Sequence, residues 1–171
     1  MNSEQPDIPA RGRDLSLQVR NRSVEHNLSH DRYRRRSRLV SIAGAVLAAA
    51  AGVSLLTGLT GAGAIVVGAM GLLSAVLAAV EPVLGYAKEA EAHRVAGSSF
   101  GALGTSYYNL QFLPEAEQPD ALQELTHQQG LLARESVNVE QWAIDEREKR
   151  ESRRRGLEQR QRGQEEGPAT A

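Results

Sequence analysis

The feature that most constrains this chain is an uninterrupted run of 42 residues, 39–80, that contains no Asp, Glu, Lys or Arg. Nine Lys/Arg and five Asp/Glu residues precede the run, and eleven and sixteen follow it. Water-soluble cores are built from short apolar stretches that alternate with polar ones, so this run is not typical of an ordinary globular enzyme. Aromatic residues make up only 4% of the chain, which leaves little apolar material to cover the run in water. The sequence therefore predicts a segment embedded in a membrane.

The charge-free run is long enough for two membrane-spanning helices, because one span takes about 20 mostly apolar residues. The pattern divides it into transmembrane helix 1, Leu39–Thr57, and transmembrane helix 2, Ala62–Val80, joined by a tight turn at 58–61 with a glycine at each end. One alternative is a buried hairpin of a soluble protein, which lacks a covering partner here. The other is a cleaved signal peptide, which fits poorly because a second span follows at once.

The distribution of arginines predicts the orientation of the hairpin. Seven arginines lie within the twenty residues before the first span, whereas the turn has none and only Lys88 and Arg94 closely follow the second span. By the positive-inside rule we expect a multi-pass protein of the cell inner (plasma) membrane with both termini cytoplasmic. Membrane lipid is then a partner, and the arginines expected at its anionic headgroups are Arg32, Arg34, Arg35, Arg36 and Arg38.

Small residues recur at four-residue intervals on both spans, a pattern that lets helices approach closely in lipid. It predicts packing within the hairpin and between copies, hence a homo-oligomer, through Gly44, Ala48, Gly52, Gly71, Ala75 and Ala79. Ser74 and Glu81 are seven residues apart, so they share a helix face and are candidates to line a pore. The alternative for Glu81 is that it only marks the helix end beside Pro82.

The remaining segments are predicted to be cytoplasmic. We expect a disordered N-terminal arm at 1–14, a basic juxtamembrane helix at 15–38, cytoplasmic helices at 81–113 and 120–162, and a disordered tail at 163–171. Apolar residues of the first cytoplasmic helix recur at spacings of three and four, as in a coiled coil, and form a partner-helix seam of Ala96, Phe100, Leu103, Tyr107 and Leu110. The two helices could pair antiparallel within one chain or between subunits. The predicted fold is an all-α membrane protein: a two-span hairpin with a short coiled-coil-like pair of cytoplasmic helices.

No motif in the sequence supports catalysis or a cofactor. Cysteine is absent, no Gly-Lys-Ser/Thr phosphate loop occurs, and no nucleophile–base arrangement can be assembled. His26 and His30 have the i, i+4 spacing of a metal pair but no third ligand nearby, so we interpret them as an exposed polar face. Acidic residues interleave with the arginines of 147–155, so nucleic acid is not an expected partner. We therefore predict a protein that is not an enzyme, with no catalytic residues, cofactor or metal.

A basic helical arm and a tight two-span hairpin are followed by a helix that reads Ala90-Glu-Ala92-His93-Arg-x2-Gly97-x2-Phe100-x2-Leu103. This order of parts, over roughly residues 20–112, is similar to that of the SLATT family of bacterial conflict systems. The resemblance implies a two-transmembrane effector that oligomerises and forms a pore or perturbs the membrane. It also implies activation by a nucleotide-sensing or nucleotide-synthesising partner, and it brings no catalytic residues.

The leading functional expectation is therefore a membrane effector that acts on a cytoplasmic signal. Two alternatives remain at this point. One is a holin-like lysis protein, since those are also small hairpins with charged cytoplasmic ends. The other is a non-conducting membrane scaffold or anchor that recruits a partner through the seam at Ala96–Leu110.

Overall fold

The computed structural model describes residues 7–56 and 61–165, without the side chains of 53–56, 81 and 163–165. These residues form helices and turns with no strand among them, which confirms the all-α prediction. The helices are α1 (Ile8–Leu56), α2 (Ala62–Leu84), α3 (Tyr86–Asn109), α4 (Gln118–Glu135) and α5 (Gln141–Glu165), and a 3-10 turn at Leu110–Phe112 follows α3.

The described residues divide into two compact units. The polar unit takes its residues from Met1–Ser29 and Val95–Ala171, and the apolar unit is His30–Arg94. Each unit therefore draws on a portion of α1 and a portion of α3.

Helix α1 begins earlier than the sequence pattern indicates, and it joins the predicted juxtamembrane helix and most of the first predicted span into one helix. The predicted disordered arm at 1–14 is wrong for residues 8–14, which are helical, and the predicted juxtamembrane helix at 15–38 has no boundary of its own. Asp7 Oδ1 accepts a hydrogen bond from the Ala10 N–H at 3.0 Å and so caps the helix. Gly12 is buried, and a Cβ there would lie 3.1 Å from the Tyr107 carbonyl oxygen. Packing against α3 thus orders a segment whose composition alone favours disorder. Residues 1–6 lie outside the described part.

The boundary between α2 and α3 falls at Gly85, beyond the predicted end of the second span at Val80. Pro82 lies inside α2, and the helix continues to Leu84. Gly85 has a φ of +64°, a left-handed conformation that residues with a side chain rarely adopt, so the chain breaks there. Gly61 has a φ of +65° and lies at the end of the predicted turn, whose residues 58–60 are outside the described part.

The single helix predicted at 120–162 is two helices. Helix α4 ends at Glu135, Ser136 is extended, and α5 begins at Gln141. The intervening Val-Asn-Val has weak helix propensity. The break allows α5 to contact α1: Ala143 is fully buried, and Arg147 Nε lies 3.1 Å from Oε1 of the buried Glu25. Helix α5 runs to Glu165, so the start of the predicted disordered tail is helical, and residues 166–171 lie outside the described part.

The polar unit has one apolar core. Its buried members are Val19 of α1 with Phe100, Leu103, Tyr107 and Leu110. Partly buried side chains from α1 and α4 pack against them, namely Leu15 of α1 and Ala121, Leu122, Leu125 and Leu132 of α4. The Tyr107 hydroxyl donates a hydrogen bond to Gln129 Oε1 at 2.8 Å. The α3 segment therefore packs against α1 as well as α4, rather than in a simple pair with the following helix.

Three glycines of α3 allow α1 to approach closely within the polar unit. A Cβ at Gly97 would lie 2.8 Å from Asn27 Oδ1, and a Cβ at Gly104 would lie 3.1 Å from Arg20 Cγ. A Cβ at Gly101 would also make a tight contact. At this short separation Ser16 Oγ donates to the Gly104 carbonyl at 2.8 Å, and Ser23 Oγ to the Gly97 carbonyl at 2.7 Å. Close packing thus compensates for the low helix propensity of these glycines.

Candidate functional site

The apolar unit contains a contact between α1 and α2. Ser74 Oγ donates a hydrogen bond to the Gly44 carbonyl at 2.8 Å. A Cβ at Gly44 would meet Leu77 Cβ at 3.8 Å, and a Cβ at Gly71 would meet Ala51 Cβ at 3.8 Å. Higher residue numbers on α1 face lower numbers on α2, so the two helices run antiparallel, as in a hairpin.

The predicted helix-packing residues fall into two groups. Gly44 and Gly71 lie at the α1–α2 contact, where an added Cβ would make an ordinary van der Waals contact with the facing helix. The other four are exposed to the outside of the unit: Ala48, Gly52, Ala75 and Ala79. Among the larger side chains of the two helices, Leu47 and Leu77 are half-buried and Val67 is buried. Two of the six residues are therefore used within the chain, and four remain on its surface.

Of the two candidate pore-lining residues, Ser74 and Glu81, the structure describes only the side chain of Ser74. Ser74 is half-buried and its hydroxyl is directed at Gly44 of the facing helix. Glu81 lies within α2, but its side chain is outside the described part.

Large apolar side chains cover the outside of the apolar unit. Ile65 is 76% exposed, Leu72 69% and Val83 84%, and Ile42 and Val46 of α1 are similarly open. The helical run that begins at Ala62 contains an 18-residue window with a mean hydropathy of 2.3, of which 6% is buried. Within the described residues this is the one helix long and apolar enough to cross a membrane. The other expected span, Leu39–Thr57, extends beyond the described residues at Thr57.

An aromatic and basic cluster lies beside the apolar segments. The rings of Tyr33 and Tyr86 are 6.2 Å apart, although 53 residues separate them in the sequence. The Arg36 guanidinium carbon lies 6.0 Å and 5.9 Å from the two ring centroids, within the range of a cation–π interaction. His93 stacks on Tyr33 at 5.5 Å. Tyrosine and arginine together are typical of a membrane–water interface.

A groove of about 450 Å³ opens between α1 and α3 in the same unit. Arg34 and Arg38 contribute from α1, and Arg94 from α3. Arg94 makes a two-pronged salt bridge with Glu91, at 2.8 Å from Nε to Oε2 and 2.6 Å from Nη2 to Oε1. This hydrogen bonding holds the pKa of the Glu91 carboxyl below its usual range and raises the pKa of Arg94. Of the other predicted headgroup residues, Arg35 is exposed, and Arg32 and Arg36 are half-buried.

The two histidines of α1 take part in packing, so the expectation of an exposed polar face is wrong. His26 is buried and stacks on Phe100 with ring centroids 5.3 Å apart. His30 Nδ1 donates to the Ala90 carbonyl at 2.8 Å. No cluster of three or more potential metal-ligating side chains occurs within residues that the structure describes.

The five seam residues, Ala96, Phe100, Leu103, Tyr107 and Leu110, are all buried. The sequence pattern does not identify their partner on α1, because that contact face mixes the apolar Leu15 and Val19 with serines and a histidine. The available signal was the spacing of Ser16, Val19, Ser23 and His26 opposite the glycines of α3.

Comparison of this chain with protein-family models, with curated proteins and with solved structures gave no match. The function must therefore be argued from the geometry of the two units.

Proposed function

We propose that this chain is an integral membrane protein that crosses the bilayer twice, through Leu39–Thr57 and Ala62–Val80, with both termini cytoplasmic. The observation that carries the proposal is the outward apolar surface of the apolar unit, where Ile65 and Leu72 are 76% and 69% exposed. A core helix of a soluble protein would be mostly buried, whereas 6% of the apolar window is buried here. Lipid tails provide the environment that such a surface requires.

We further propose that the protein acts by self-association of its hairpins. Within the described residues of one hairpin, the Ser74 hydroxyl is bound to the Gly44 carbonyl of the facing helix and is not available to a polar route. The exposed small residues, Ala48, Gly52, Ala75 and Ala79, let other copies approach closely. Assembly would then perturb the membrane or form a pore, in the manner implied by the similarity to the SLATT family. The resemblance implies activation by a nucleotide-sensing or nucleotide-synthesising partner, and we propose the same class of partner here.

Leakage from liposomes reconstituted with the purified protein tests this function. The double variant Ala48→Leu/Ala75→Leu places bulk on the exposed small-residue surface and should abolish dye release. The matched control is Ala49→Leu/Ala69→Leu, which adds the same groups at exposed positions on other sides of the same helices, because successive helical residues differ by about 100° in direction. Equal leakage from both variants would contradict assembly through this surface.

The scaffold alternative loses its proposed docking surface. The seam residues Phe100, Leu103 and Tyr107 are occupied by α1 and α4 of the same chain, so a partner would have to displace these helices. Co-expression with a cell-wall hydrolase distinguishes the holin-like alternative from the effector. Lysis that depends on the hydrolase would favour a holin-like protein.

A further inference from the structure

We infer that the groove between α1 and α3 in the apolar unit is a binding site for the phosphate of an anionic membrane lipid. This inference rests on the membrane location proposed above. It goes further because it assigns headgroup recognition to a defined subset of the arginines and adds one that follows the second span.

The groove is built from helical positions that share a face. Its α1 side presents His30, Arg34 and Arg38 at four-residue intervals. Its α3 side presents the small Ala90 together with Glu91 and Arg94. Alanine leaves the space open, and the hydrogen bond from His30 Nδ1 to the Ala90 carbonyl fixes the imidazole at one end of the groove.

The charge of the groove suits a phosphate. Three guanidinium groups line it against the one carboxylate of Glu91, and Arg34 and Arg38 make no ion pair within the described part of the chain. Guanidinium groups bind phosphate through paired hydrogen bonds, and these are stronger than bonds between neutral groups. Glu91 is hydrogen-bonded to Arg94, so a phosphate that binds Arg94 must compete with that carboxylate.

Position in the sequence favours a lipid as the source of the phosphate. Arg38 is followed directly by Leu39, the first residue of the first proposed span. A headgroup in the groove would therefore be attached to acyl chains that can lie along the exposed apolar side chains of the same unit. A soluble phosphate would gain only the contacts within the groove.

The test uses the full chain in an uncharged detergent, with phosphatidylglycerol added and bound lipid counted by native mass spectrometry. We expect one tightly bound lipid per chain. Arg34→Gln should weaken binding by about tenfold or more, whereas Arg35→Gln, the same change at the neighbouring exposed arginine outside the groove, should weaken it by less than about threefold. Glu91→Gln should tighten binding by about two- to fivefold, because it removes the competing carboxylate.

Three results would overturn the inference. Equal losses for Arg34→Gln and Arg35→Gln would show diffuse attraction instead of a site. Weaker lipid binding by Glu91→Gln would show that the Glu91 carboxylate does not compete with the phosphate for Arg94, whereas the inference requires that competition. Inorganic phosphate that binds as tightly as phosphatidylglycerol, with the same dependence on Arg34, would assign the groove to a soluble ligand. Membrane retention after an alkaline wash is measured in parallel, because its loss would refute the proposed membrane location and not the groove alone.

Discussion

The close approach of α1 and α3 in the polar unit can be tested by adding one methyl group. Gly104 is buried where the two helices meet, and a Cβ at this position would lie 3.1 Å from Arg20 Cγ and 3.4 Å from the Ser16 carbonyl oxygen. Carbon atoms normally rest about 3.5–4.0 Å apart, so Gly104→Ala requires the neighbouring atoms to move by a few tenths of an ångström. The Arg20 side chain can shift, but the Ser16 carbonyl belongs to the helix backbone.

The expected effect combines two opposing terms. Alanine favours a helix over glycine by about 1 kcal/mol, whereas overpacking a buried contact costs about 1–3 kcal/mol. Gly104→Ala should therefore lower the free energy of unfolding by about 0–2 kcal/mol. Gly130→Ala in α4 is the matched control, because nothing lies within 4 Å of its added Cβ. It should raise the free energy of unfolding by about 1 kcal/mol, since only the propensity term applies.

Thermal unfolding of the full chain in detergent measures the difference. The chain has one tryptophan, Trp142 in the polar unit, so its fluorescence reports on that unit. For a chain of this length 1 kcal/mol corresponds to about 2–4 °C in Tm. Gly130→Ala should then raise Tm by about 2–4 °C, and Gly104→Ala should leave it unchanged or lower it by up to about 8 °C. If Gly104→Ala stabilised the protein as much as Gly130→Ala, the helices would not be as close as the structure has them.

Three further changes test single contacts. Tyr107→Phe removes the hydrogen bond from a buried hydroxyl to α4 and should cost about 0.5–1.5 kcal/mol, measured by the same fluorescence transition. Ser74→Ala removes the bond to the Gly44 carbonyl and should cost about 0.6 kcal/mol in a bilayer, measured by hairpin unfolding in lipid, and no change at all would argue against the α1–α2 contact. The pKa of Glu91 is lowered chiefly by its hydrogen bond to Arg94. This pair therefore stabilises the fold at pH values above the usual pKa of a carboxyl group, and the stabilisation is lost as the pH falls through the lowered pKa. In a carboxyl-carbon NMR titration the Glu91 midpoint should rise in Arg94→Ala.

The sequence was most informative where the pattern was strongly apolar. The charge-free run predicted helices on both sides of a glycine turn, and the spacing from Ala96 to Leu110 predicted a helix face whose five members are all buried. Large apolar side chains at regular intervals have few ways to leave water, so their periodicity is enough to predict their environment. What they pack against was not determined by that periodicity.

The sequence was less informative where packing depends on small and polar side chains. Residues 8–14 have the composition of a disordered segment, but Gly12 fits against Tyr107 and the helix extends over them. There, tertiary contacts outweigh a local preference of about 1 kcal/mol or less per residue. The break at 136–140 instead follows a local preference, because Val-Asn-Val has weak helix propensity, but the longer periodic pattern around it predicts one continuous helix.

The same kind of contact occurs between α1 and α3 in the polar unit and between α1 and α2 in the apolar unit. In each case a serine hydroxyl donates a hydrogen bond to the carbonyl of a glycine on the facing helix. It occurs at Ser16 and Ser23 in the polar unit and at Ser74 in the apolar unit, with distances of 2.7–2.8 Å. A glycine carbonyl is reachable because no side chain shields it, and the hydroxyl is satisfied whether the surroundings are water or lipid. In the polar unit this contact lies beside an apolar core, whereas in the apolar unit large side chains such as Ile65 and Leu72 face outward. The proposed membrane role depends on that outward apolar surface.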